Sequence, residues 1–476
     1  MKPAKYLCIL LLIGFVIASY SADEKPARKG GGSKQPVQDS KCNDVPAHQF
    51  DLILGRPTSD SVTVSIVCYE DTEGVIAYGI QSGKLDAKTP SRPFKKGEAA
   101  GILLSSLKPD TQYFYQFNSA LAKSGEFTFH TARHPGSTFT FTITADSHLD
   151  EHTDPALYQR TLANALADAP DFHVDLGDTF MTEKHENRAA ALKQYIAQRY
   201  YFGQICQSAP LFFVLGNHDG EIPLGPGRDS ESLAVWANAT RKSYFPNPVP
   251  DSFYTGNATK HPEAGLLQDY YAWEWGDALF VVLDPFWFMQ KPRGKNDNWC
   301  RTLGAEQYQW LKHTLETSKA KFKFVFIHHL VGGADEQCRG GVEAAPFYEW
   351  GGRNADGSDG FKQNRPGWPA PIHQLLVQNK VDIVFHGHDH FYAKQDLDGI
   401  VYQEVPQPGY VGNGKAPRSA AEYGYVNGTL LGSSGHMRIV VSSTQATVDY
   451  VRADRSIANS YVIPSDKKAT GDTPNK

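Results

Sequence analysis

The stretch FTFTITADSH, residues 139–148, alternates apolar residues with threonine and ends in two side chains that can bind a metal ion, Asp146 and His148. Alternation over this length is typical of a β-strand, and the polar pair follows that strand at once. Further along, strand-like runs alternate with helical patterns. One helix is expected to begin after Asp154, an N-cap residue that proline follows. This order of elements predicts an α/β domain.

Four more apolar runs are also followed directly by polar residues. These clusters are Gly177-Asp178, Gly216-Asn217-His218-Asp219, His328-His329 and Gly387-His388-Asp389-His390. Because the carboxyl ends of strands in α/β sheets meet at one crevice, we expect segments far apart in sequence to converge there. Carboxylate and amide oxygens and imidazole nitrogens are all ligands of borderline transition metals. One such cluster is weak evidence, but five in series predict a metal centre.

The motifs D-x-H, G-D, G-N-H-D, H and G-H-x-H occur in the order that is typical of the calcineurin-like metallophosphoesterase superfamily, and the chain resembles that superfamily over about residues 139–451. The resemblance implies a domain, bounded here at residues 137–452, in which two mixed β-sheets are flanked by helices in an αββα arrangement. It also implies two divalent metal ions, for which zinc, manganese and iron are candidates.

The same resemblance assigns the ligands residue by residue. The first ion is expected to bind Asp146, His148, Asp178 and His390. The second is expected to bind Asp178, Asn217, His328 and His388, so that Asp178 bridges the two ions. His328 is preferred to His329 because the ligand is the first position of the family's H-x-P motif; here Leu330 stands in place of the proline.

The family places the histidine of G-N-H, here His218, beside the substrate as a proton donor or oxyanion partner. The alternative is a structural histidine behind the ligands. The implied reaction is hydrolysis of a phosphate ester on a phosphorylated small molecule. Two cations about 3.5–4 Å apart polarise the phosphoryl group, and a metal-bound hydroxide attacks phosphorus. We favour monoesters over the alternatives of the same fold, a phosphodiesterase or a nucleotidase.

One position departs from the purple acid phosphatases. Those enzymes carry G-D-x-x-Y, with a tyrosine that binds ferric iron and gives the colour, whereas this chain has Met181 at that place. A thioether cannot supply a hard anionic oxygen. Because His148 can occupy that coordination position, we expect a colourless dimetal centre.

Upstream, the chain predicts a small all-β module at residues 49–134, with short strand-like runs separated by turn residues. The segment LKPDTQYFYQ, residues 107–116, resembles the L-x-P-x-T-x-Y-x-Y signature of fibronectin type III-like domains. That resemblance makes Tyr113 and Tyr115 structural and gives the whole chain the arrangement of a purple acid phosphatase. Carbohydrate binding by these tyrosines is the alternative. An alternative of another class is an extracellular binding or adhesion protein that uses this module and carries an inert phosphatase scaffold.

The N-terminus begins with two lysines and an uncharged run with an apolar centre, which predicts a cleaved secretory signal peptide at residues 1–21. An uncleaved membrane anchor is the alternative. A flexible linker at residues 22–48 and a C-terminal tail at residues 453–476 are also expected. The protein is therefore expected to be secreted, extracellular or periplasmic, with no stable membrane insertion after cleavage.

Composition limits the other partners. The 476 residues carry 47 basic and 52 acidic side chains, a net charge of −5 without the basic surplus of nucleic-acid-binding proteins, so no nucleic acid partner is expected. Cys300 and Cys338 are a candidate disulfide, with buried thiols as the alternative. Among the long insertions, Arg293, Arg353 and Arg365 are candidate contacts for substrate phosphate.

Overall fold

A computed structural model describes residues 43–223, 232–294, 297–412, 416–432 and 434–466. The predicted signal peptide lies outside the described residues, and so does the predicted linker up to residue 42. The end of that linker is packed rather than solvated: Nε2 of His48 donates a hydrogen bond to Oδ1 of Asp51 over 2.8 Å, and the ring contacts Tyr69 and Tyr200. Within the described ranges no helix is long and apolar enough to span a bilayer.

The N-terminal module contains strands β1 (Phe50–Gly55), β2 (Val62–Cys68), β3 (Thr72–Gly79), β4 (Ala87–Lys88), β5 (Arg92–Phe94), β6 (Ala99–Leu104), β7 (Gln112–Ser119) and β8 (Phe127–His130). Strands β1, β2 and β6 form one antiparallel layer, and the other five form the second. Tyr113 and Tyr115 are buried between the layers, and the N–H of Lys108 donates to the Tyr113 hydroxyl over 2.8 Å. The predicted all-β sandwich is confirmed, and both tyrosines are packing residues.

The remaining elements are β9 (Phe139–Thr144), α1 (Pro155–Ala167), β10 (Phe172–Asp175), α2 (Arg188–Cys206), β11 (Leu211–Phe213), α3 (Leu233–Tyr244), β12 (Thr255–Gly256), β13 (Lys260–His261), β14 (Gly265–Leu266), β15 (Tyr271–Trp275), β16 (Ala278–Val282), α4 (Gly304–Thr317), β17 (Phe322–Phe326), α5 (Tyr348–Gly351), α6 (Phe361–Asn364), α7 (Ile372–Gln378), β18 (Ile383–His386), β19 (Tyr392–Leu397), β20 (Ile400–Glu404), α8 (Ala416–Glu422), β21 (Thr429–Leu431), β22 (Gly435–Val441), β23 (Gln445–Arg452) and β24 (Ile457–Pro464). Helix α1 begins as expected, because the Asp154 side chain accepts a hydrogen bond from the N–H of Leu157 over 2.9 Å. One-turn 3₁₀ helices lie at Thr182–Lys184 and Asn298–Cys300.

Two large sheets pack face to face. The first has the order β24-β23-β22-β9-β10-β11-β1-β2-β6, and the second β12-β15-β16-β17-β18-β20-β19-β21. Phenylalanines of both sheets, among them Phe141, Phe172, Phe280 and Phe326, fill the interior between them. Helices α1, α2 and α3 cover the outer face of the first sheet, and α4 and α7 cover that of the second. Burial of one apolar face by each helix confirms the predicted αββα arrangement.

The first sheet also joins the two parts of the chain. β1 pairs in parallel with β11 at Gly55 and Leu211, so one layer of the N-terminal module continues into the α/β domain. Arg199 of α2 is fully buried at this junction and donates to the backbone carbonyl of Asp51 over 3.3 Å. The module at residues 49–134 therefore shares a sheet with the domain that follows it.

The C-terminal tail was predicted to begin at residue 453, but a strand of the first sheet lies beyond that point. β24 pairs with β23 from Gln445 and Pro464 to Val451 and Ile457, and it forms one edge of the first sheet. None of its residues is fully buried, so this edge strand lacks the strong apolar pattern that reveals interior strands. The boundary at residue 452 was wrong, and the sheet extends to Pro464.

The described cysteines do not form the candidate disulfide. Cys300 and Cys338 are free and buried, as are Cys68 and Cys206. The alternative, a pair of buried thiols, is therefore the arrangement found. Such cysteines pack as small apolar side chains. Cys42 lies outside the described residues.

Candidate metal centre

The five polar clusters follow the carboxyl ends of five strands. β9, β10 and β11 are parallel neighbours in the first sheet, and β17 and β18 are parallel neighbours in the second. Parallel neighbours end on the same side of a sheet, so the turns after these strands lie at one edge of the sandwich. The crevice expected from the sequence is therefore present.

The first group of side chains contains Asp146, His148, Asp178 and His390, whose ligand atoms all lie within 4.8 Å of one another. Nε2 of His148 lies 3.8 Å from Oδ1 of Asp146 and 3.7 Å from Oδ2 of Asp178. Nε2 of His390 lies 3.4 Å from Oδ1 of Asp146. These four atoms surround a space that can hold one cation.

The second group contains Asp178, His328 and His388 within the same limit of 4.8 Å. Nε2 of His328 lies 3.3 Å from Oδ2 of Asp178 and 3.1 Å from Oδ1 of Asn217, which adds the amide oxygen to the group. Asp178 belongs to both groups, the position that a bridging ligand requires. His329 is buried but belongs to neither group. All seven side chains predicted as ligands thus come together in the structure.

Hydrogen bonds fix which histidine nitrogen faces the centre. Nδ1 of His328 donates to the carbonyl of Leu176 over 2.7 Å, and Nε2 of His388 donates to the carbonyl of Gln337 over 2.6 Å. A carbonyl only accepts, so the opposite nitrogen of each ring is unprotonated in the neutral side chain and can bind a metal ion. In the same way, Nδ1 of His148 lies 3.3 Å from Oδ2 of Asp150, a contact that the sequence analysis missed.

Three buried polar atoms at the centre have no hydrogen-bond partner among the described residues. They are Oδ1 of Asp146, Nε2 of His148 and Nδ1 of His388. Leaving such atoms unsatisfied in a protein interior is costly unless a ligand completes them. The donor set of carboxylate oxygen, amide oxygen and imidazole nitrogen therefore fits a pair of divalent cations.

The backbone turns that carry the ligands are tightly constrained. Asp146, His148, Asp178, His388 and His390 all adopt positive φ, a conformation that residues other than glycine rarely adopt. A Cβ on Gly216 would lie 2.0 Å from the backbone nitrogen of Asp178, so only glycine fits at the first position of the G-N-H-D motif. The carboxylate of Asp219 accepts hydrogen bonds from the backbone N–H groups of residues 178, 179, 180 and 216. These bonds connect the turn after β10 to the turn after β11.

The electrostatics of the centre favour positive charge. Burial alone would lower the pKa of His328, but the carboxylates of Asp178 and Asp146 outweigh it and raise that pKa to about 9. The carboxylates thus stabilise a positive charge here, which a metal ion supplies when it displaces the proton from the ring. Burial would likewise raise the pKa of Asp178, yet the positive potential of His328 and His218 holds that pKa well below its usual value. Burial lowers the pKa of His388, which keeps its ring neutral, as a metal ligand must be. The ionised carboxylates attract cations to this space.

His218 lies beside the ligands rather than among them. Its backbone N–H donates to Oδ1 of Asp178 over 2.7 Å, and its Nδ1 contacts the carboxylate of Glu183. Nε2 of the ring lies 4.0 Å from Oδ2 of Asp178. Glu183 comes from the 3₁₀ turn after the Gly-Asp motif, and no motif in the sequence distinguished it. The ring is thus held at one nitrogen, and the other nitrogen faces the centre.

A cleft of about 430 Å³ opens beside the centre. Three residues of the site, His148, His218 and His390, line it together with two cationic side chains, Lys184 and Arg339. The arginines singled out in the sequence lie elsewhere: Arg365 is buried and pairs with Glu349, Arg293 pairs with Asp297, and Arg353 is outside the set of residues that line the cleft. Arg339 was missed because it stands in a long insertion without a motif.

Comparison with known proteins agrees with this geometry. The family model described as calcineurin-like phosphoesterase matches residues 139–392, more than half of the chain. Purple acid phosphatase 22 of Arabidopsis thaliana is 22% identical over 351 residues, which are 70% of this chain and 64% of that protein. The chain therefore matches slightly less than two thirds of this relative's length.

Two solved structures resemble the whole fold. The structure of PhoD matches with a TM-score of 0.62 and 16% identity, and the match covers 87% of this chain and 90% of the PhoD chain. The purple acid phosphatase PPD1 from seeds of yellow lupin, Lupinus luteus, matches with a TM-score of 0.59 and 16% identity over 87% of this chain and 74% of that chain. At this identity the two likenesses show the fold alone. The family match, over the segment that carries the metal centre, shows that this chain belongs to the calcineurin-like phosphoesterase family.

Proposed function

We propose that the protein is a metal-dependent hydrolase of phosphate esters that acts on small phosphorylated molecules, with monoesters preferred over diesters and nucleotides. One observation carries this proposal: two adjacent groups of ligand atoms share Asp178, and His218 stands next to them at the cleft. Membership in the calcineurin-like phosphoesterase family supports the same reaction class.

The proposed first ion would be held by Asp146, His148, Asp178 and His390, and the second by Asp178, Asn217, His328 and His388. Zinc, manganese and ferrous iron suit this mixture of oxygen and nitrogen donors. Two such ions would supply Lewis-acid polarisation of the phosphoryl oxygens and activation of the attacking water. The protein itself contributes ligand orientation, through Leu176, Gln337 and Asp150.

His218 is the proposed proton donor to the leaving oxygen, because Nε2 faces the centre while Nδ1 is engaged with Glu183. A ring held in this way keeps its reactive nitrogen in a fixed direction, which is what proton transfer in the transition state requires. Monoesters are favoured because Lys184 and Arg339 line the same cleft as His148 and His390, and a monoester carries more negative charge than a diester.

We further propose that the protein is secreted, to an extracellular or periplasmic location, on the strength of the leader pattern at residues 1–21. The N-terminal module would serve as a structural support for the first sheet. The buried positions of Tyr113 and Tyr115 argue against a carbohydrate-binding surface at these side chains.

A substrate panel tests the proposal. Metal-loaded protein is assayed with para-nitrophenyl phosphate, bis(para-nitrophenyl) phosphate and nucleotides in separate preparations with zinc, manganese and iron. We expect the monoester to be turned over fastest, and we expect His218→Asn to reduce kcat by about 100-fold or more, the usual contribution of a general acid. The control is His313→Asn, which alters an exposed histidine on α4. A metal-loaded protein that is inert toward the whole panel would support the alternative of a binding protein on an inactive scaffold.

A further inference from the structure

The loop at residues 335–340 is fastened to the G-H-D-H motif on both sides of Arg339. The ring of His388 donates from Nε2 to the carbonyl of Gln337 over 2.6 Å. The backbone N–H of Gly340 donates to Oδ2 of Asp389 over 2.9 Å. Arg339 therefore stands between two anchors, each of which ties the loop to a residue of the metal centre's own motif. Its position is coupled to the ligands although it lies about fifty residues away in sequence.

The guanidinium of Arg339 is stacked on an aromatic ring. Its central carbon lies 3.8 Å from the centroid of the Tyr423 ring, close enough for a cation–π contact. Stacking uses one face of the planar group and leaves the N–H donors at its edge available. Nε of Arg339 is buried and has no hydrogen-bond partner among the described residues. The contact with Tyr423 thus orients the guanidinium, while Nε–H makes no hydrogen bond within the described residues.

The same cleft contains Arg339 and residues of the metal centre. Arg339, Tyr423 and Lys184 line it together with His148 and His390. A cleft of about 430 Å³ is large enough for a small phosphate ester. A molecule bound there would lie beside both the ligand histidines and the guanidinium of Arg339.

We propose that Arg339 is a substrate-binding residue that donates hydrogen bonds from the edge of its guanidinium to the anionic oxygens of the phosphate ester, while Tyr423 fixes the plane of the donor fork. The inference rests on the proposed function, because it names a recognition residue of the same site. A planar fork suits two phosphate oxygens at once, whereas a lysine offers a single point charge.

The experiment compares Arg339→Gln, Arg339→Lys, Tyr423→Phe and Tyr423→Leu in metal-loaded protein. Binding of inorganic phosphate is measured by calorimetry, kcat and KM are measured with para-nitrophenyl phosphate, and metal content is measured in every preparation. We expect Arg339→Gln to weaken phosphate binding and raise KM by about 10-fold or more, with kcat and metal content little changed. Arg339→Lys should lie between the wild type and the glutamine variant, since it keeps the charge but not the fork.

The ring variants separate stacking from the tyrosine hydroxyl. Tyr423→Phe keeps the aromatic ring and is expected to retain more phosphate affinity than Tyr423→Leu, which is expected to weaken binding several-fold, roughly the value of a cation–π contact. Arg418→Gln is the matched control, because it removes the same charge from an exposed position on α8.

Two results would overturn the inference: unchanged phosphate affinity and KM in Arg339→Gln, or loss of metal from that variant, which would make the residue structural. Failure of the proposed function has a different signature. In that case the wild type hydrolyses no ester in the panel, while the phosphate-binding comparison still decides the role of Arg339.

Discussion

Nδ1 of His218 contacts the carboxylate of Glu183, and Nε2 of the same ring lies 4.0 Å from Oδ2 of Asp178. The histidine is therefore clamped between a carboxylate outside the ligand set and the carboxylate shared by both metal groups. Its backbone N–H adds a third constraint by donating to Oδ1 of Asp178 over 2.7 Å. In this geometry Glu183 positions the ring, and His218 is the residue that would contact the substrate.

Replacing Glu183 by glutamine should reduce kcat by about 10-fold or more, because the amide no longer holds the His218 ring through a charge-assisted contact. Metal content should stay the same, since Glu183 belongs to neither ligand group. Steady-state kinetics and metal analysis of one preparation check both points. Glu186→Gln, an exposed neighbour, is the control. A loss of metal together with activity would show that Glu183 supports the centre rather than His218.

Replacing Asp150 by asparagine should weaken metal binding by about 10–100-fold, as is common when the hydrogen-bond partner of a ligand histidine is altered. Asp150 contacts Nδ1 of His148 and so sets the direction of Nε2. Titration of metal-free protein with zinc, followed calorimetrically, measures the change. Asp86→Asn, on the surface of the N-terminal module, should leave the affinity unchanged. Equal affinities in all three proteins would show that Asp150 does not orient His148 for metal binding.

The centre should be colourless when it is loaded with iron. Met181 takes the place of the tyrosine whose ferric complex colours purple acid phosphatases, and its thioether cannot form that complex. His148 lies with Asp146 and Asp178 in the first ligand group instead. A visible spectrum of iron-loaded protein decides the point. A purple charge-transfer band would mean that another tyrosine reaches the metal and that the first ligand group is incomplete.

His173 should make the protein sensitive to acid. It is buried between the hydroxyls of Thr142 and Thr144, and burial, together with the nearby His436, lowers its pKa to about 3. The unfolded chain binds a proton near pH 6.5 and the folded chain does not, so this residue lowers the free energy of unfolding as pH falls between these values. The loss is about 1.4 kcal/mol per pH unit.

His173→Gln removes that proton uptake. Denaturant unfolding at several pH values between 7.5 and about 4 should therefore show a shallower fall in stability for the variant than for the wild type, whatever the variant's stability at neutral pH. The exposed His313→Gln variant should keep the wild-type slope. Parallel slopes for His173→Gln and the wild type would contradict the assignment of a neutral buried ring.

The sequence predicted the parts of the site that follow a local rule. Asp146, Asp178 and Asn217 come directly after apolar strands, and parallel strands must deliver the residues that follow them to the same edge. The αββα arrangement follows from the same alternation of strands and helices. Residues whose role depends on contacts between distant segments had no such signal: Arg339 becomes important only when His388 and Asp389 hold its loop.

The arginines that were predicted to contact phosphate show the same limit of sequence-based prediction. Arg365 stands in a long insertion, as a phosphate contact would, but it is buried against Glu349 and donates to the carbonyl of Trp299 over 2.7 Å. Charge and position in a loop do not tell whether an arginine has a partner within the protein. Edge strand β24 was missed for a related reason, because an exposed strand needs little apolar sequence.

We propose that two metal ions occupy the adjacent groups that share Asp178. The most direct measurement is the metal-to-protein ratio of purified, active protein, determined by elemental analysis. We predict two equivalents of metal per chain in the wild type and a lower occupancy of both sites in Asp178→Ala, because both groups lose a ligand. A ratio of one or none in a preparation that hydrolyses phosphate esters would contradict this prediction.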